Sequence, residues 1–116
     1  MADLVKMECI PCKGDSPQVT EEEIKEYLPQ IPEWQIVTID GERRLKRVYK
    51  FKDFARPLAF TNQVGKIAEE QDHHPKIVLE WGQVTIFWWT HAIGGLHRND
   101  FVMAARCDSL FAKMMV

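Results

Sequence analysis

Apolar positions recur every three to four residues in three stretches of this chain and follow strand-like patterns in four others. The first helical stretch follows Thr20, with Ile24, Tyr27 and Leu28 as its stripe and Pro29 as its stop. Thr20 and Glu23 have the spacing of a capping box, in which each side chain meets the other's backbone N–H and satisfies donors a helix start leaves unpaired. Glu21, Glu22 and Glu23 also complement the positive end of the helix dipole. Residues 34–39 (WQIVTI) are aromatic and β-branched, a strand composition. Asp40-Gly41 then supplies residues that tolerate positive φ in a hairpin turn. The returning strand spans roughly residues 45–51, with Leu45, Tyr49 and Phe51 on one face.

A longer second helix is expected from an N-cap at Asp53 to about Gln71. Phe54, Leu58, Val64 and Ala68 recur at helical spacing, and Phe60 and Ile67 widen the stripe. Pro57 falls in the first turn, where a missing N–H does least harm. Pro75 bars His74 from the helical region, so the helix finishes near His73. Two short strands follow, at about 77–81 and 84–90, joined at Gly82-Gln83. Gly94-Gly95 breaks the chain, and Asn99 or Asp100 is placed to cap a last helix carrying Phe101, Val102, Ala105, Leu110, Phe111 and Met114. The order α-β-β-α-β-β-α, with hairpin connections, predicts an α+β fold: a four-stranded antiparallel sheet with helices packed on one face. Residues 20–116 form this single domain, and residues 1–19, with Pro11, Gly14 and Pro17, read as an arm over its surface. The last helix is apolar on more than one side, more than a small sheet can cover, which points to a homo-oligomer.

Composition narrows the classes. A chain of 116 residues, 46% hydrophobic and 28% charged, has room for one core and the balance of a globular domain. Fifteen basic and seventeen acidic residues leave a net charge of −2, with no long basic stripe for a phosphate backbone, so direct nucleic-acid binding is not expected. Arg43, Arg44, Lys46, Arg47, Lys50 and Lys52 straddle the first hairpin and read as a solvated or edge-protecting sheet face. The apolar runs are far short of the roughly 20 residues a membrane span needs. The first residues lack the pattern of a secretory signal, which makes the cytoplasm the expected location. Three cysteines are too few for a disulfide framework. Cys9 and Cys12 form a C-x-x-C pair, but no second pair completes a structural zinc site, and the pair precedes any strand–helix context that redox motifs use. The role of Cys9 and Cys12 is left unassigned.

All four histidines fall between positions 73 and 97. His73 and His74 stand at a helix exit, where the dipole favours the imidazolium form. His91 closes the strand beginning at Val84, and Thr85, Phe87, Trp89 and His91 share one face by strand periodicity. If the helix packs along the sheet, its exit and the strand end meet and enclose a tryptophan-walled pocket. From spacing alone, a surface turn is as good a reading as a site. Three histidines and a carboxylate also suit zinc, although adjacent histidines in a loop fit poorly with the H-x-x-x-H spacing of familiar zinc enzymes. His97, in a polar loop beside Arg98, reads as ordinary surface.

The run Glu69-x-x-x-His73-His74-Pro75, followed by Trp81, Thr90-His91, Gly95-Leu96 and Asp100, resembles the signature of the pterin-4a-carbinolamine dehydratase family over roughly residues 20–111. The resemblance implies an α+β fold, a homodimer or homotetramer, and an enzyme with neither metal nor cofactor. The implied substrate is a small molecule, a 4a-hydroxytetrahydropterin. It loses water to give a quinonoid dihydropterin, a step in recycling the tetrahydropterin that an aromatic amino-acid hydroxylase has used. It places His73, His74 and His91 around the ring as catalytic residues, with Glu69, Pro75, Trp81 and Asp100 supporting the pocket. Imidazole suits both proton transfers because its ordinary pKa is about 6.5. His73 and His91 are the expected acid and base, in unassigned order, with His74 holding the ring; Glu69 or Asp72 could orient an imidazole, although Asp72 reads better as solvated. The family often carries Arg just before the aspartate, where this chain has Asn99 after Arg98. The alternative the family suggests is a non-enzymatic dimerisation partner of a transcription factor.

Overall fold

The computed structural model describes residues 3–11 and 14–115; Cys12 lies outside them. Helix α1 (Glu21–Tyr27) starts at Thr20, whose hydroxyl accepts from the Glu23 N–H at 3.1 Å while Glu23 accepts from the Thr20 N–H at 2.9 Å. Strands β1 (Gln35–Ile39) and β2 (Glu42–Lys50) pair antiparallel across Asp40 and Gly41, both at positive φ. Helix α2 (Ala55–Gln71) follows, with Asp53 accepting from the Arg56 N–H at 3.1 Å. Strands β3 (Lys76–Glu80) and β4 (Gln83–Trp88) form the second hairpin, and α3 (Arg98–Met114) ends the fold. The sheet order is β1-β2-β4-β3, antiparallel throughout. The expected α+β architecture is the one found.

Side-chain alternation fixes which face is covered. Leu45, Tyr49, Val84, Ile86 and Trp88, each 1% exposed or less, face the helices. Tyr49 meets Phe60 of α2 and Phe111 of α3 at ring-centroid distances of 4.7 and 4.8 Å. Helix α1 joins the layer through Tyr27, whose ring lies 5.4 Å from that of Phe101. Aromatic pairs at such distances add to the apolar burial that carries the core.

Several local expectations change. Trp34 precedes β1 rather than opening it, and its indole N–H donates to Asp108 at 3.0 Å. The second turn is centred on Trp81-Gly82, one residue earlier than expected, with Gly82 at φ +76°. The basic cluster is only partly solvated. Arg47 pairs with Asp108 at 2.7 Å, and Arg44, 8% exposed, lies over Trp89. Asp108 also accepts from the Tyr49 hydroxyl at 2.5 Å, so one carboxylate stitches β2 to α3. In the arm, Leu4 is fully buried, worth roughly 1.5–3 kcal/mol by area. Among the described residues, no helix is long and apolar enough to cross a membrane.

Candidate active site

The exit of α2 is shaped by Asp72, whose φ of +51° turns the chain out of the helix. The His73 N–H returns to the Ala68 carbonyl at 3.1 Å, satisfying an acceptor the helix end leaves open. The turn sends the adjacent imidazoles to different surroundings. The His73 ring stacks on Trp88, with centroids 5.5 Å apart and 14° between planes, and its Nε2 lies 2.6 Å from Asp100 Oδ1. His74 stays exposed, its Nε2 2.6 Å from Glu69 Oε1.

Asp100 sits in the first turn of α3 and is fully buried. Its second oxygen accepts from the Thr90 hydroxyl and the His97 N–H, both at 2.9 Å. An ionised carboxylate only accepts, and against one the hydrogen shared with His73 belongs to Nε2. His97 is not surface: it is 7% exposed, and its Nδ1 caps α3 by accepting from the Asn99 N–H at 3.1 Å. Burial pushes the His97 imidazole below its usual 6.5, as a neutral acceptor requires. The expected caps, Asn99 and Asp100, stand inside the helix instead. Asp100 completes the capping box, and Asn99 turns to the arm.

Strand β4 ends at Trp88, short of Thr90. Thr90 then bridges to Gly95, its N–H donating to the Gly95 carbonyl at 2.8 Å, and this closes residues 91–94 into a tight loop. His91 opens a single helical turn there, exposed, with its ring 4.6 Å from that of Trp89. The strand alternation that was to carry Thr85, Phe87, Trp89 and His91 on one face therefore stops before His91, and the loop places it instead.

These segments enclose a cavity of about 570 Å³. Residues 71–75 form one wall, residues 89–92 a second, and Cys9, Ile10 and Pro11 of the arm a third, beside Asn99. His73, His74, Pro75 and His91 thus line one space. Glu69 and Asp100 stand behind it and reach it through His74 and His73. Trp81 does not join them: it is 71% exposed in the β3–β4 turn, at the other end of β4 from His91. Asp72 lines the cavity, while the imidazoles of His73 and His74 are held by Asp100 and Glu69. The arm's part in the wall was not readable, since irregular chain has no periodicity to say where it runs. Among the described residues, no group of three or more His, Cys, Asp or Glu side chains could hold a metal ion.

Fold and cavity together define a small α+β protein with a histidine-walled pocket. The sequence pattern of the family described as "Pterin 4 alpha carbinolamine dehydratase" matches residues 17–110. The chain is 53% identical over 111 residues to a Marinobacter nauticus protein named "Putative pterin-4-alpha-carbinolamine dehydratase", covering 96% of this chain and all of that one. A Nitrosococcus oceani protein of the same name is 54% identical over 95% of this chain and 97% of its own. The crystal structure of a "transcriptional coactivator/pterin dehydratase" from Brucella melitensis superposes with a TM-score of 0.72 at 32% identity, over 81% of this chain and 98% of that one. The chain belongs to the pterin-4a-carbinolamine dehydratase family.

Proposed function

We propose that this protein removes water from a 4a-hydroxytetrahydropterin to give the quinonoid dihydropterin, acting in the cytoplasm as a carbon–oxygen lyase in tetrahydropterin recycling. One observation carries the reading: His73 and His91, far apart in sequence, line the same cavity. Its volume falls in the range of small-ligand pockets. In the reaction the C4a–O bond breaks as the departing hydroxyl takes a proton, and the neighbouring ring nitrogen gives one up as the C=N bond forms. His73 and His91 divide these two transfers. His74 holds the ring, Pro75 shapes its wall, and Glu69 and Asp100 position the imidazoles they touch. A well-placed acid or base contributes about 10²–10⁴-fold, so two such groups suffice for a carbinolamine already inclined to dehydrate.

The test is the dehydration rate of a 4a-hydroxytetrahydropterin with purified protein. His91→Ala should lose roughly 10²-fold or more while remaining folded. Unchanged rates in both His73→Ala and His91→Ala would overturn the mechanism. The protein also works as a homodimer or homotetramer in this reading. Support comes from exposed apolar side chains: Trp81 at 71%, Phe54 at 44% and Leu58 at 42%. The Gly82 N–H bonds the Asp53 carbonyl at 3.0 Å, which brings the β3–β4 turn beside the start of α2.

A further inference from the structure

The stretch Glu8 to Pro11 is irregular chain, yet it is held at each step by side chains of the folded domain. The Cys9 N–H donates to Gln71 Oε1 at 2.9 Å, and Gln71 Nε2 donates to the Glu8 carboxylate at 2.6 Å. Arg98 donates to the Glu8 carbonyl at 2.9 Å, and Arg106 to the carbonyl of Met7. Asn99 makes the closest match. Its Oδ1 accepts from the Ile10 N–H at 3.0 Å while its Nδ2 donates to the Ile10 carbonyl at 2.7 Å, and the residue is 2% exposed. This two-point bond needs a donor and an acceptor on one side chain. Arginine carries donors only and could not make it.

The two side chains that hold the arm most closely flank the catalytic cluster. Gln71 lies two residues before His73, and Asn99 directly precedes Asp100. The arm accordingly runs beside the His73–Asp100 pair and walls the cavity with Cys9, Ile10 and Pro11. The side chains of that wall are uncharged. Both backbone polar groups of Ile10 are used by Asn99, and Pro11 has no N–H. Burial pushes the Cys9 thiol up to about 11, so it stays uncharged near neutrality. Ile10 remains 50% exposed at the cavity. In a pterin carbinolamine, C6 adjoins the ring nitrogen that gives up its proton. A carbon substituent at C6 therefore starts close to the histidine that takes that proton, in a cavity that the arm helps to wall.

We propose that the arm is a specificity wall of the active site: Ile10 and Pro11 contact the carbon substituent at C6 of the pterin, and Asn99 is the positioning residue that holds them there. This rests on the dehydratase reading. Because Ile10 is half exposed, Ile10→Ala should fold as the parent does. With a carbinolamine bearing a three-carbon chain at C6, Ile10→Ala and Asn99→Ala should each raise KM by roughly five- to tenfold, with kcat within about twofold. With a carbinolamine unsubstituted at C6 the increase should disappear. Binding of stable 7,8-dihydropterins with and without the chain, measured by calorimetry, gives the same comparison without turnover. An active parent whose KM and dihydropterin affinity are untouched by both variants overturns the wall and leaves the dehydratase reading intact. Equal losses for substituted and unsubstituted ligands overturn the assignment to C6. An inactive parent that binds the chain-bearing dihydropterin through Ile10 keeps the wall and removes the dehydratase. No binding by the parent removes both.

Discussion

Asp100 shows how much one buried side chain can carry: it holds His73, receives the Thr90 hydroxyl and completes the cap of α3. Its oxygens are sealed from water, so solvent cannot replace a lost donor to the charged group. Thr90→Val should therefore cost about 1–3 kcal/mol in urea unfolding, far more than a surface threonine; a loss within ~0.5 kcal/mol would contradict the network. At this scale the sequence was informative where chemistry recurs locally. Glu69 sits five residues from His74 and was expected to orient an imidazole. The partnership of His73 with Asp100 spans 27 positions, and no spacing rule identifies a contact made only by packing α3 against the exit of α2. Trp81 illustrates the opposite error. A tryptophan in a matching motif looked like a pocket wall, but its position in a hairpin turn sets it at the far end of β4.

Elements were legible in proportion to how local their signals are. The Thr20 box lies within four consecutive residues and formed as expected. The start of α3 was missed because histidine is not among the preferred caps, and His97 becomes one only when buried with a neutral Nδ1. That choice has a consequence for acid stability. The unfolded chain binds a proton at His97 near pH 6.5, whereas burial holds the folded imidazole's value lower. Stability from this residue is thus complete above about 6.5 and is lost as pH falls through the folded value. The melting temperature should drop between about pH 7.5 and 5.5. His97→Asn, which keeps a capping oxygen without titrating, should flatten the drop. Parallel slopes for parent and variant would refute the account. The shortening of β4 has a similar origin: β-branched and aromatic residues continue past Trp88, but the Thr90–Gly95 bridge turns the chain aside.

For the whole molecule, hairpin connections and two periodicities were enough to give the α+β layer, although Phe54 and Leu58, read as part of the second helix's stripe, stay exposed while Phe60, Val64 and Ala68 are buried. Association with another copy is a matter of surface. The parent should sediment above the mass of a single chain, and Trp81→Lys, at an exposed position, should shift it toward that mass; a parent already at single-chain mass would refute the homo-oligomer. The path of the arm is the part that no pattern announced, and its geometry bears on biosynthesis. Ile10 and its partner Asn99 are 89 positions apart, so an earlier-made and a much later-made portion of the polypeptide meet at the same hollow. A nascent chain on the ribosome has no finished pocket until α3 emerges, so ligand cannot be captured by a product that stops short of it.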